Sequence, residues 1–185
     1  ARQQEQAQTA AALYERYLEA TRQGESSEEV ARTAEHVAGQ LREDFPGTVY
    51  AAFVALERAQ RAIDSGDGLD AVRTELEWVL ERDAADWLSD VARLRLARIA
   101  LAGEDHEAAL AHLDALELGG GSSAAEELRG DVHAAAGRAA QAREAYARAQ
   151  AASEGRRPLL RMKLDSVAAP QDAAPATKGA DEVQG

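Results

Sequence analysis

Four histidines, His36, His106, His112 and His133, are the side chains of this chain best suited to proton transfer or metal binding near neutral pH. Their spacing assembles neither. His106 and His112 are six residues apart, across the start of a turn and the helix after it, and no histidine stands at metal-ligand spacing from another. The His-Glu-x-x-His pattern, which sets two imidazoles one turn apart beside a carboxylate base, is missing, as are a nucleophile elbow and a phosphate loop. Gly119-Gly120-Gly121 has neither the lysine nor the preceding strand that a phosphate cradle needs. With no cysteine, thiolate ligands, cysteine nucleophiles and disulfides are excluded. The abundant carboxylates fall on faces that read as exposed, where they solubilise. The expectation is a non-enzymatic chain with no catalytic residue, cofactor or metal, whose chemistry is recognition.

Charge narrows what is recognised. Lysine and arginine total 21 against 33 acidic residues, a formal net charge of −12. Nucleic-acid phosphates and anionic lipid headgroups both reward a basic surface, so neither is the expected partner. No apolar stretch approaches the ~20 residues that span a bilayer. The chain opens at Ala1 without a methionine, and the expectation is a chain either processed or cut from a longer product, which leaves room for a missing targeting segment.

The elements that must position any binding residue are helices. Alanine is plentiful and β-branched residues are few, which favours helix over sheet. Apolar residues recur at helical spacing in Ala12, Leu13, Tyr17 and Ala20, then in Val30, Ala34, Val37 and Leu41. Further stripes run through Ala52, Leu56, Ala59 and Ile63; Val72, Leu76, Val79 and Leu80; and Val91, Leu94 and Ile99. Punctuation separates them. Ser26 with Glu29 and Ser123 with Glu126 read as capping boxes, Asp83 as a cap, and Phe45-Pro46 as a helix end. Gly119-Gly120-Gly121 reads as a flexible break, and Pro158 as the first residue of a closing helix.

Over this runs a repeat. Small residues stand twelve apart in three segments, Ala59 with Ala71, Ala97 with Ala109, and Gly130 with Ala142, each pair flanking a short polar turn. The units are offset by 38 and 33 residues, the period of stacked helix pairs. Small side chains let two helices approach to ~8–10 Å. Gly130→Leu is expected to overpack its crossing at a cost of ~1–3 kcal/mol.

These residues resemble the tetratricopeptide repeat, in which small residues occupy the eighth and twentieth positions. Gly130, Ala142, Tyr146 and Ala149 match that pattern; Ala97, Ala109 and Leu113 match, with Leu116 where alanine is usual; Ala59 and Ala71 match, while Glu75 and Trp78 depart from it. The resemblance implies an all-α right-handed solenoid. About four helix pairs are expected, near 5–43, 48–81, 84–117 and 123–152, with a capping helix at 158–168. Residues 1–168 form the repeat domain in this reading, and 169–185 a disordered tail. The layout, including Ala11–Tyr17, Tyr50–Gln60, Leu94–Leu116, Leu128–Ala149 and the closing Met162-Lys163-Leu164, also resembles the YfgM-like family of ancillary subunits of the bacterial Sec translocon. That resemblance implies a single-pass inner-membrane protein with this domain facing the periplasm. The implied partners are the translocon and a periplasmic prolyl-isomerase-like chaperone, in the service of newly exported polypeptides. The alternative is a soluble repeat adaptor for another cell-envelope complex.

In the repeat family the first helix of each pair lines the concave face. That register implies a protein-binding surface made of Phe53, Leu56, Gln60 and Ile63, then Val91, Leu94, Arg98 and Leu101, then Glu127 and Asp131. Such a groove is apolar in its middle and acidic toward its end, suited to a helix or extended segment of another protein. Trp78 and Trp87 read as packing residues between unequal repeats, either becoming an anchor for a partner if exposed. Tyr14 and Tyr17 are expected at the membrane-proximal end, as a self-contact or a translocon contact.

Overall fold

The computed structural model describes residues 2–22, 28–82, 85–154 and 157–167. Nine α-helices and no strand occur among them. They are α1 (Arg2–Arg22), α2 (Glu28–Asp44), α3 (Val49–Ser65), α4 (Leu69–Leu80), α5 (Asp86–Ala102), α6 (His106–Asp114), α7 (Ser123–Ala135), α8 (Ala139–Ala152) and α9 (Pro158–Ser166). Successive helices pair as α1 with α2, α3 with α4, α5 with α6, and α7 with α8. Each first helix also touches the next first helix, and each second helix packs on the first helix of the following pair. The result is the expected solenoid, closed by α9 against α8. The tail expected over 169–185, and the caps expected from Ser26 and Asp83, lie outside the described residues.

Alanine makes this stack tight. Ala51, Ala55, Ala59, Ala92, Ala97, Ala109, Ala125, Ala142 and Ala145 are wholly buried, and larger side chains such as Tyr17, Leu41, Leu76, Leu88, Leu113 and Leu160 fill the spaces between them. Thr48, Asp105 and Ser122 cap α3, α6 and α7 by accepting from the backbone N–H three residues on. The cap of α7 is therefore Ser122 and not Ser123. Glu126, expected to complete a capping box, is buried and pairs with Arg129 and Arg148 at 2.7 Å each.

The repeat is regular in space but not in the register that spacing implies. Seven residues after Ala59, Ala97 and Gly130 the chain enters the left-handed region, at Gly66 (φ 75°), Glu104 (φ 59°) and Gly137 (φ 72°). The first unit then holds one more turn residue, Gly68 at φ 94°. All later positions of that unit move by one. Val72, 1% exposed, stands where Ala109 and Ala142 stand, whereas Ala71 is exposed and takes no part in the crossing. Leu76 and Val79 accordingly take the sites that Glu75 and Trp78 were expected to fill, and the first unit conforms after all.

Glu104 adopts a backbone conformation that suits glycine. Glu104→Gly is expected to stabilise the protein by roughly 0.5–1 kcal/mol, the relief of left-handed strain exceeding the entropy glycine restores to the unfolded chain. The urea midpoint should rise with no change in slope.

The loop between α6 and α7 is held by a residue that the spacing did not single out. Asp90, buried on α5, accepts from the backbone N–H of Glu117 (2.9 Å), Leu118 (2.8 Å) and Gly119 (2.8 Å). The triple-glycine segment is thus anchored at its first residue and is not a free break. Burial disfavours the Asp90 charge, but the three N–H donors and Arg93, 3.8 Å away, outweigh it and hold the carboxyl below its usual range.

Candidate protein-interaction surface

The first helices α1, α3, α5 and α7 stand side by side, and the ten residues assigned to their shared face have unlike surroundings. Leu56 is 8% exposed and belongs to the core between the second and third pairs. Phe53 and Val91 are half-buried and pack on that same core. Leu94 and Leu101 lie half-buried against the next one. Ile63 is exposed, and Gln60, also exposed, donates to Asp64 at 3.0 Å. Arg98 is exposed and has no ion-pair partner among the described residues.

Glu127 and Asp131 are already engaged. Lys163 of the capping helix donates to Glu127 at 2.9 Å and to both Asp131 oxygens at 2.8 Å, and Arg157 pairs with Glu127 at 2.6 Å. Tyr146 donates its hydroxyl to the same Asp131 at 2.8 Å. The acidic end of the expected groove is therefore neutralised by the cap. Burial opposes the charge on Glu127, but Lys163 and Arg157 prevail and depress its pKa; burial likewise opposes the charge on Lys163, whose pKa is raised by Asp131 and Glu127.

The signs define a window. A raised lysine contributes stability that is complete below its unfolded pKa of ~10.4 and lost above it, while a depressed glutamate contributes stability complete above ~4.3 and lost in acid. The bridge thus holds α9 throughout the neutral range. Lys163→Met is expected to cost about 1–2 kcal/mol, since the site is partly solvent-screened. Faster amide hydrogen exchange confined to α9 is the measurement that checks it.

Aromatic residues that spacing did not group gather at the other end. Tyr14 meets Tyr50 and Phe53 at ring-centroid distances of 5.6 and 5.7 Å, and Phe53 meets Trp87 at 5.8 Å. This row crosses α1, α3 and α5 and ends on Trp87, 47% exposed. Tyr17, by contrast, is fully buried, with its hydroxyl accepting from Arg61, and is not available as a contact residue. Trp78 is half-buried between the guanidinium groups of Arg42 and Arg82, at 4.5 and 5.2 Å, and is a packing residue as expected.

From Trp87 one stripe continues along α5 through Val91, Leu94, Arg98 and Leu101, all within an arc of about 80° of a 3.6-residue helix. Beside it is Arg95, which sequence reasoning missed. Its guanidinium donates to the backbone carbonyl of Leu56 at 3.1 Å, and it has no carboxylate partner among the described residues. Burial and then the neighbouring charge of Arg98 lower its pKa. A cleft of about 740 Å³ opens elsewhere, among α2, α3 and α4. Arg58 there is paired with Glu35 and Glu75 and Arg61 donates to Tyr17, and the cleft presents no exposed aromatic ring among the described residues, so the α5 stripe is the better candidate surface.

No three His, Asp or Glu side chains among the described residues are grouped to hold a metal ion, and the chain has no cysteine. Stacked helix pairs with a half-exposed row of first helices define a helical-repeat scaffold. The model of the tetratricopeptide repeat-like domain family matches residues 1–169, and the chain belongs to that family. It is similar to a protein of Neisseria gonorrhoeae named as an ancillary SecYEG translocon subunit, with 31% identity over 132 residues. The match covers 69% of this chain and 62% of that protein, so the chain spans less than two thirds of its relative's length. No solved structure matches the chain.

Proposed function

We propose that this domain is the protein-interaction part of an inner-membrane-anchored protein that links the Sec translocon to periplasmic chaperones, a prolyl-isomerase-like one among them, and aids newly exported proteins. The reading is supported by the similarity to an ancillary SecYEG translocon subunit. The observation that carries an interaction role is the α5 stripe, where an exposed tryptophan shares one helix face with an exposed arginine that has no ion-pair partner among the described residues. Tryptophan and arginine are the residues most enriched where binding energy concentrates. No helix among the described residues is long and apolar enough to cross a membrane.

The test is crosslinking of the full-length protein in membranes followed by identification of its partners, for the parent protein and for Trp87→Ala. Translocon and chaperone components are expected with the parent and depleted in the variant. Their absence from the parent sample would refute the translocon link. Undiminished recovery with Trp87→Ala would move the binding face away from α5.

A further inference from the structure

The α5 stripe also implies what its partner looks like. In a chain of net charge −12, Arg95 and Arg98 repel each other with no carboxylate to relieve them among the described residues. Arg95 is half-buried, and its only hydrogen-bond acceptor among the described residues is the neutral carbonyl of Leu56. On α3, Glu57 faces Tyr17 and Tyr14 instead, and Asp64 accepts from Gln60. A guanidinium with free N–H groups matches a carboxylate in two-pronged geometry, and a partly desolvated one gains more from it than an exposed one.

Arg98 lies eleven residues beyond Trp87 on the same face, roughly 16 Å at helical rise. Val91 and Leu94 lie half-buried between them. From these placements we infer that the first-helix face docks an acidic-apolar polypeptide segment. An aromatic or aliphatic side chain of the segment rests on the Phe53–Trp87 platform, and a carboxylate roughly five extended residues away pairs with Arg98 and Arg95. The occupant is a peptide segment of another protein. The charge of the site excludes a basic segment, and the inference rests on the reading of this stripe as a protein-binding surface.

Selection of a random peptide library displayed on phage against the purified domain tests the inference. Enriched peptides are expected to carry Asp or Glu about five residues from an apolar anchor. For a synthetic copy of the best one, Arg98→Glu should weaken binding at least tenfold. Replacing the peptide's acid by lysine should restore binding to that variant, while Trp87→Ala weakens both peptides alike. Arg98 is exposed, so melting curves of its variants should overlay that of the parent protein. Selection of basic or uncharged peptides, selection of none, or a failed charge swap overturns the inference. If the membrane crosslinking still returns translocon components after such a result, the scaffold reading stands and only the acidic partner is lost.

Discussion

Asp90→Ala is expected to lower the stability of the protein by about 3 kcal/mol. Hydrogen bonds to a charged acceptor are worth ~1.5–3 kcal/mol each, and three converge here; water at the exposed Glu117 and Leu118 recovers part of the loss. At this chain length that is a fall in melting temperature of roughly 6–12 °C. Asp90→Asn should lose a smaller part, because NH2 replaces one carboxylate oxygen and meets a backbone N–H there, while the remaining oxygen accepts without a charge. The acid dependence carries the same signature. The pKa of Asp90 is depressed on folding, so its contribution is complete above the unfolded value of ~3.9 and disappears as pH falls through the lower folded value. Thermal melts followed by circular dichroism at neutral and acid pH should therefore show the gap between Asp90→Asn and the parent narrowing in acid. A gap of constant size would mean that the carboxylate charge is not what holds the loop.

Gly130→Ala is the second large effect, and two opposing terms decide its sign. Alanine in a helix interior is favoured over glycine by about 1 kcal/mol. Against that, a methyl group at Gly130 would overlap the ring of Tyr146 on α8, at atoms Cδ1 and Cε1. That ring has no easy escape. It is buried, and its hydroxyl is tied to Asp131, which Lys163 also holds. Overpacking of this kind costs ~1–3 kcal/mol, and with the ring held in place the upper part of that range applies, so a net loss of up to about 2 kcal/mol is expected for alanine and a larger one for leucine. Tyr146→Val removes the obstacle. The double variant Gly130→Ala, Tyr146→Val should then be more stable than the sum of the single effects by at least ~1 kcal/mol in urea titration. Strict additivity would show that some other contact dictates the glycine.

Both effects illustrate what was legible in the sequence. Gly130 was legible because a glycine inside a helix-period stripe, twelve residues before a second small residue, has few explanations other than a close crossing. Asp90 was not, because one aspartate on an acidic helix looks like any other until a loop from 27 residues away arrives at it. The same limit applied to the candidate face. The register of the repeat family put Arg98 and Gln60 on the candidate face, but it could not show that Lys163 and Arg157 occupy Glu127 and Asp131. Nor could it show that Tyr14, Tyr50, Phe53 and Trp87, contributed by three helices, form one row. The error at Ala71 was smaller and more avoidable. A turn containing two glycines, Gly66 and Gly68, is the sign of one residue more than its counterparts hold.

The linear order of residues by itself determined that this chain is a stack of helix pairs with small residues at its crossings. Helical period, caps and proline or glycine stops act within a few residues, so the information is complete in any short stretch. Tertiary structure alone decided which charges are neutralised and which are left bare, and where an aromatic row emerges. Ion pairs and exposure depend on segments that meet only once the helices are stacked, and a one-residue change in a single turn rotates every later side chain of its helix by about 100°.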